Sequence, residues 1–416
     1  MTIEPGPAVA LKDWLSKNGG TFHSSAIFSQ DNSGYRVVAL NDISADAQIV
    51  VCPIDLVITP ELSKCAVLSA LGTRETSATF NLWSERQWIA TYLAFHWIFG
   101  EDERLNHSPY LKTLPSSEQL CTPLHFTASE LDLFKGSNIF GATEDRRRDW
   151  KDEWNFCRSA ISVVNPDVAA KYTWDHYLTA ATYISSRAFP SSILSSTPTL
   201  VHDPSTYPVL IPAVDSLNHA SRQPVSWLVT TDLASVNPQT QSLQEHRPRK
   251  IVLVHHPAVS QGQELFNNYG PKPNAELILG YGFSFENNPD DTIVLKLGGI
   301  QGQKWEVGRN SNNAEGLWKE ILATFVESEG AGPTYEDILD ASGQLREMVE
   351  ILLQRLPPIE VPNTPRIRSE VLAMRSHYLE GQRSILQSLI EFTRAREKDA
   401  IKMAEEQGIE LVLEED

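Results

Sequence analysis

The chain has 416 residues, with 35 Lys/Arg against 53 Asp/Glu and a formal net charge of −18. That balance excludes a general nucleic-acid binder and a binder of anionic membranes, because both present a basic face. A hydrophobic content of 41% and a charged content of 21% are ordinary for a soluble globular protein long enough to bury a substantial core.

Further exclusions come from residue types. The four cysteines, Cys52, Cys65, Cys121 and Cys157, form no Cys-x-x-Cys pair. They read as reduced thiols, and no metal site is expected. The longest apolar stretch, Trp88 to Gly100, is too short and too interrupted to span a bilayer. Met1 to Ala10 has two prolines and no basic cluster, so no secretory leader is expected and the compartment reads as cytoplasm or nucleus.

In chain order, Leu11–Asn18 reads as a short amphipathic helix closed by Gly19-Gly20. Strand candidates follow at Phe22–Phe28, Tyr35–Leu40, Gln48–Val51 and Leu56–Thr59, separated by turn residues. From about Pro60 to Ser185 the pattern is helical. Ser84 to Gln87 is a capping box, and Ile89, Leu93 and Trp97 then repeat on one face until Gly100. Ser129–Lys135, Thr143–Val163 and Thr173–Phe189 are further helices, and Trp83, Trp88, Trp97, Trp150, Trp154 and Trp174 read as core. Pro190–Pro208 is a Ser/Thr/Pro-rich loop. Strands are expected at Val225–Thr230, Lys250–His255 and Asp291–Leu297, with a surface loop over Leu233–Arg249. From Gln301 only helices are expected: Ala314–Glu327, Tyr335–Leu356 and a long run from about Arg366 to Glu406, with Gln407–Asp416 as a tail. Residues 301–416 hold 13 Lys/Arg against 22 Asp/Glu, a solvated acidic helix surface or a face for a basic partner.

Two stretches stand out. Ile211-Pro-Ala-Val-Asp215-Ser-Leu-Asn218-His219 is an apolar run ending in Asp, Asn and His, which are poor strand formers. Gly262 to Gly270 ends in a tight Asn-Asn-Tyr269-Gly270 turn and continues through Asn274 to Gly280-Tyr281-Gly282-Phe283. Polar groups at strand ends are where a rigid scaffold presents a site.

These two blocks, in this order, resemble the signature blocks of the SET domain. The wording "NNYGPKPNAELILGYGF" and the helical tail resemble the Rubisco large-subunit methyltransferase-like branch. The resemblance implies an α+β fold: a SET core of small antiparallel sheets with a knot-like crossing (1–59 and 186–300), a helical insertion (60–185), and a helical substrate-binding domain (301–416). It implies S-adenosyl-L-methionine as cofactor and a protein substrate taken by a monomer, with methylation of lysine in a non-histone protein such as a ribosomal protein or translation factor.

Residue roles follow from the same resemblance. Ser33, Gly34 and Tyr35 would offer backbone groups to the cofactor, although Arg36 stands where the family's second glycine is expected. Arg187, in the motif Ser186-Arg187-Ala188-Phe189, would serve cofactor and substrate; Asn218, His219, Tyr269 and Phe283 would hold the cofactor. Phe189 and Tyr281 would face the substrate, Asp215 would either hydrogen-bond within the crossing or face the substrate, and Tyr269 would be the catalytic tyrosine. A related branch that methylates histidine carries Asn where Phe189 stands, so Phe189 favours lysine over histidine. A catalytically silent scaffold that binds a protein partner is the reading from a different class, and Arg36 supports it. Lysine transfer needs a neutral amine, whereas free lysine has a pKa near ~10.4. A desolvating channel and a neighbouring sulfonium both lower that value.

Overall fold

The computed structural model describes residues 4–31, 34–73, 79–231, 249–298, 302–326, 332–360 and 367–411. These form two compact units. The first takes residues 1–120 and 146–271, and the second 121–145 and 272–416.

In the first unit, the helix Gly6–Lys17 begins on Pro5 and ends before Gly19, whose φ of +82° reverses the chain. A four-stranded antiparallel sheet follows, ordered Thr21–Phe22, Ala47–Pro53, Arg249–His255 and Val225–Thr231. Aliphatic side chains fill its centre: Ile49, Val50, Ile251 and Leu253 are fully buried or nearly so. A separate hairpin pairs Ala26–Asp31 with Gly34–Ala39, from Ala26 opposite Ala39 to Asp31 opposite Gly34. Leu56–Thr59 does not form the expected strand. Pro53 starts a turn of 3-10 helix, Ile54–Leu56, and only Ile58 bridges, to Leu210.

The helices of this unit have readable starts. Thr59 caps Pro60–Ala70, Ser84 and Gln87 form the capping box of Glu85–Phe99, and Thr173 caps Trp174–Arg187. Tyrosines pack between them with their hydroxyls spent: Tyr172 meets Thr91 at 2.9 Å and Tyr177 donates to Glu153 at 2.6 Å. Trp83, Trp88 and Trp150 are core, Trp154 and Trp174 are half-buried, and Trp97 is exposed and stacked on His176. The helix expected over Thr143–Val163 runs from Asn138 to Val164.

The second unit contains the short capped helix Ala128–Asp132, an antiparallel pair Thr292–Lys296 with Lys304–Gly308, and the helices Ala314–Leu322, Tyr335–Arg355 and Ser369–Glu406. The strand Lys304–Gly308 corrects the expectation of helices only after Gln301. Its Trp305 ring lies where a side chain on Gly316 would have to sit, so Gly316 lets helix and strand close. Leu317, Leu345, Val349, Ile385 and Leu389 form the fully buried core of this half. Residues 232–248 and 412–416, where the surface loop and most of the tail were expected, lie outside the described residues. No helix among the described residues is long and apolar enough to cross a membrane.

Candidate functional site

In the first unit the two signature stretches meet. Ile211 and Ala213 are fully buried, and Ala213 takes a φ of +68°, an uncommon conformation for a residue with a side chain. The chain turns there into the 3-10 segment Val214–Ser216, which carries Asp215, and straightens at Asn218–His219. Asn218–His219 then pairs in parallel with Phe266–Asn267. The main-chain N–H of Ala220 donates to the Asn267 carbonyl at 3.0 Å and extends the pair.

Tyr269 follows directly. Its hydroxyl donates to the Leu217 carbonyl at 2.9 Å, and its main-chain N–H donates to Nδ1 of His219 at 3.1 Å. The His219 and Tyr269 rings stack at 4.9 Å with an interplanar angle of 16°. The Asn218 amide donates to Glu264 at 2.8 Å. Glu264 in turn bridges Val38 of the hairpin, and the Leu265 N–H donates to the Val37 carbonyl at 2.8 Å. The hairpin bearing Gly34 and Tyr35 is thus tied to both signature blocks.

Arg187 ends its helix, where a cation is favoured. Its Nη1 donates to the Asp215 carbonyl at 3.0 Å and lies 3.4 Å from Asp215 Oδ2. The same oxygen accepts from Tyr110 Oη at 2.6 Å. Burial pushes the Asp215 carboxyl up, while Arg187 and Tyr110 pull it back toward ionisation. Asp215 Oδ1 is buried with no partner among the described residues, and so is Nδ2 of Asn267. Cys52 lies near enough that burial, then the Asp215 charge, pushes its thiol up. Phe189 is buried, pairs with Val209, and meets Trp227 edge-on at 6.5 Å.

The structure therefore brings Arg187, Asp215, Asn218, His219 and Tyr269 together. Gly34, with φ +124°, and Tyr35 open their strand; Ser33 lies outside the described residues. Arg36 sits in regular register opposite Ser29, side chain exposed, 3.9 Å from Asp31. Tyr281 and Phe283 belong to the second unit, where they flank Gly282 at φ +81° and meet edge-on at 6.1 Å. Lys272 lies 5.5 Å from the Tyr281 ring centre, and burial pushes that phenol up. Their assigned roles rest on the resemblance alone. Among the described residues, no group of three or more His, Cys, Asp or Glu could hold a metal ion.

Sequence reasoning missed Tyr110. It lies 105 residues from Asp215, and its neighbours Ser108-Pro109 and Leu111 signal only a helix start. Ala213 was missed as well, because alanine gives no sign of a left-handed conformation.

No family model matches the chain. The ribosomal lysine N-methyltransferase set10 of Schizosaccharomyces pombe is 31% identical over 287 residues, 68% of this chain and 46% of that protein. The actin-histidine N-methyltransferase of Gallus gallus is 25% identical over 299 residues, 69% of this chain and 44% of that protein. The matched part thus spans less than half the length of either relative. Among solved structures, the SET domain of LSMT bound to lysine and AdoHcy superposes with a TM-score of 0.73 at 16% identity, covering 96% of this chain and 94% of that one. Rubisco LSMT bound to AdoMet gives 0.70 at 17% identity, with the same coverage.

The fold and the paired signature blocks define a SET-domain protein. Within that class, its fold is that of the Rubisco LSMT structures, and its sequence is similar to a ribosomal lysine N-methyltransferase.

Proposed function

We propose that this protein is an S-adenosylmethionine-dependent protein-lysine N-methyltransferase acting on a non-histone protein. The observation that carries the reading is the pairing of Asn218–His219 with Phe266–Asn267, which sets the Tyr269 hydroxyl on the Leu217 carbonyl two residues from Asp215. The cofactor fits the residues present. Asn267 holds an unspent buried donor beside the paired strands, and a side chain added at Gly34 would meet nothing within 4 Å. Gly34, Tyr35, Arg187, Asn218, His219 and Tyr269 would hold it.

When bound, S-adenosylmethionine would supply a methyl group on a sulfonium: the neutral amine's lone pair would take the methyl carbon as the carbon–sulfur bond breaks and S-adenosylhomocysteine leaves, and the methylammonium would give its proton to solvent water. The protein's part is alignment and proton placement. Asp215 Oδ1 accepts an N–H of the amine, and Arg187 favours the carboxylate form against the burial that pushes the group up. Tyr269 donates its hydroxyl hydrogen to the Leu217 carbonyl, which fixes the orientation of the phenol. Phe189 and Trp227 form an apolar wall that desolvates the amine and lowers its pKa.

The relative named a ribosomal lysine N-methyltransferase supports lysine, and a ribosomal protein is the first substrate to try. The relatives named actin-histidine N-methyltransferases make histidine the second outcome, which Phe189 opposes. A basic protein substrate suits the acidic chain, and cytoplasm or nucleus is the proposed location. The test is transfer of labelled methyl into an unmethylated lysate by wild type and by Tyr269→Phe. A band labelled by wild type and weaker by at least about a hundredfold with Tyr269→Phe supports the reading. Mass spectrometry of the band separates lysine from histidine. No band, together with no binding of S-adenosylhomocysteine, leaves a silent scaffold.

A further inference from the structure

We infer that Tyr110 is a positioning residue of the transfer site: its phenol pins one oxygen of the Asp215 carboxylate and leaves the other free for the substrate nitrogen. The inference rests on the transfer reading above. Tyr110 comes from the short helix Ser108–Leu111, within the helical stretch that interrupts the strand-rich parts of the chain. It is fully buried, and Asp215 is 4% exposed.

Both protein donors converge on one side of the carboxylate. Tyr110 Oη donates to Oδ2 at 2.6 Å, and Arg187 Nη1 is shared between Oδ2 at 3.4 Å and the Asp215 carbonyl at 3.0 Å. Oδ1 is left buried and without a partner among the described residues. A buried carboxylate oxygen left unsatisfied is costly unless a ligand fills it. The terminal torsion of aspartate is soft, so without a fixed donor either oxygen could turn toward Arg187. The Tyr110 hydroxyl removes that freedom and fixes where Oδ1 points. The Asp215 charge is felt in turn by Cys52 on the strand Ala47–Pro53, whose thiol is kept neutral chiefly by its burial. Among the described residues, no second hydroxyl bonds the carboxylate to take over from Tyr110.

An amine that gives one N–H to Oδ1 has its lone pair oriented by that bond. Loss of the Tyr110 hydroxyl should therefore cost alignment rather than binding. The experiment measures kcat and KM for the purified acceptor protein of the labelled band, and calorimetric binding of S-adenosylhomocysteine. It uses wild type, Tyr110→Phe, Asp215→Asn and the double variant. Tyr172→Phe is the control, an equally buried tyrosine whose hydroxyl bonds Thr91 instead.

Tyr110→Phe should lower kcat about tenfold. KM and S-adenosylhomocysteine affinity should stay within about twofold. In the Asp215→Asn background, removal of the Tyr110 hydroxyl should have no further effect, and Tyr172→Phe should leave kcat unchanged. An unchanged kcat in Tyr110→Phe overturns the inference. So does an equal loss in both backgrounds, or a Tyr110→Phe protein that does not fold, since the hydroxyl would then serve the fold. Absence of transfer by wild type is a separate result, which sinks the transfer reading and this inference with it.

Discussion

Glu130 offers a quantitative test of what holds the second unit together. It is 1% exposed and closes the capping box of Ala128–Asp132, accepting from the Thr127 N–H at 2.9 Å. Its two oxygens also take the Arg368 guanidinium, Nε at 2.8 Å and Nη2 at 2.9 Å, and the Arg368 main-chain N–H at 3.1 Å. Arg368 immediately precedes the long helix Ser369–Glu406, so one carboxylate ties the start of that helix to residues 127–132. Burial alone would raise its pKa, but the bonds from Arg368 and Thr127 outweigh it and hold it at about 2 against an ordinary 4.5. A folded pKa below the unfolded one gives stability that is present above the unfolded value and lost as pH falls toward the folded one. The full difference corresponds to about 3 kcal/mol, and solvent on the one-third-exposed Arg368 reduces it to about 2. Glu130→Gln should therefore cost about 2 kcal/mol at pH 7 and about 1 kcal/mol or less at pH 3. His125, held at about 4 by burial and by the neighbouring Arg368 charge, also weakens the fold in acid. The assay is urea titration at pH 7, 5 and 3, read by hydrogen exchange in peptides covering 126–140 and 367–380. A stability gap that stays constant across that range would refute the reasoning.

Three other outcomes follow from single residues. Gly282→Ala places a Cβ 2.8 Å from the Cys121 carbonyl carbon at a φ of +81°, and should lower second-unit stability by at least about 2 kcal/mol in the same urea assay. Leu345→Ala empties a fully buried site between the long helices and should cost about 2–5 kcal/mol, read as the shift in denaturation midpoint at constant slope. Arg36→Gly should leave S-adenosylhomocysteine affinity within about threefold, because Arg36 points to solvent from a regular strand and the proposed contacts are main-chain. Calorimetry showing much tighter binding by Arg36→Gly would mean that the side chain obstructs the turn.

Local rules carried most of the fold. Capping residues at Thr59, Ser84 and Thr173 marked helix starts, and Gly100 marked an end, because those signals act within one turn. They failed where tertiary pairing decides. Lys304–Gly308 is a strand because Thr292–Lys296 gives it a partner, and nothing within those five residues announces one. Leu56–Thr59 is apolar enough for a strand, but Ile58 alone finds a bridging partner, Leu210. At the site, the polar residues were legible because they break the apolar runs that carry them: Asp215, Asn218 and His219 close one run, and Tyr269 closes the other. The partners that complete them were not. Tyr110 looks like an ordinary helix-start residue, and its role depends on a contact 105 residues away; away from the site the same holds for Glu130, whose partner Arg368 lies 238 residues away.

That asymmetry has a physical cause. The elements that form the site are too short to hold themselves. Asn218–His219 and Phe266–Asn267 are two-residue strands, and a pair of that length has no independent stability. What fixes them is a closed set of bonds between the blocks: Tyr269 to Leu217 and His219, Ala220 to Asn267, and Asn218 to Glu264. Tyr269 thus has two tasks, and they separate chemically. Its main-chain N–H and its stacked ring serve the fold and survive in Tyr269→Phe; only the hydroxyl is lost. One neutral hydrogen bond contributes about 1 kcal/mol to stability, so a hundredfold fall in transfer with nearly unchanged stability would assign the hydroxyl to the chemistry.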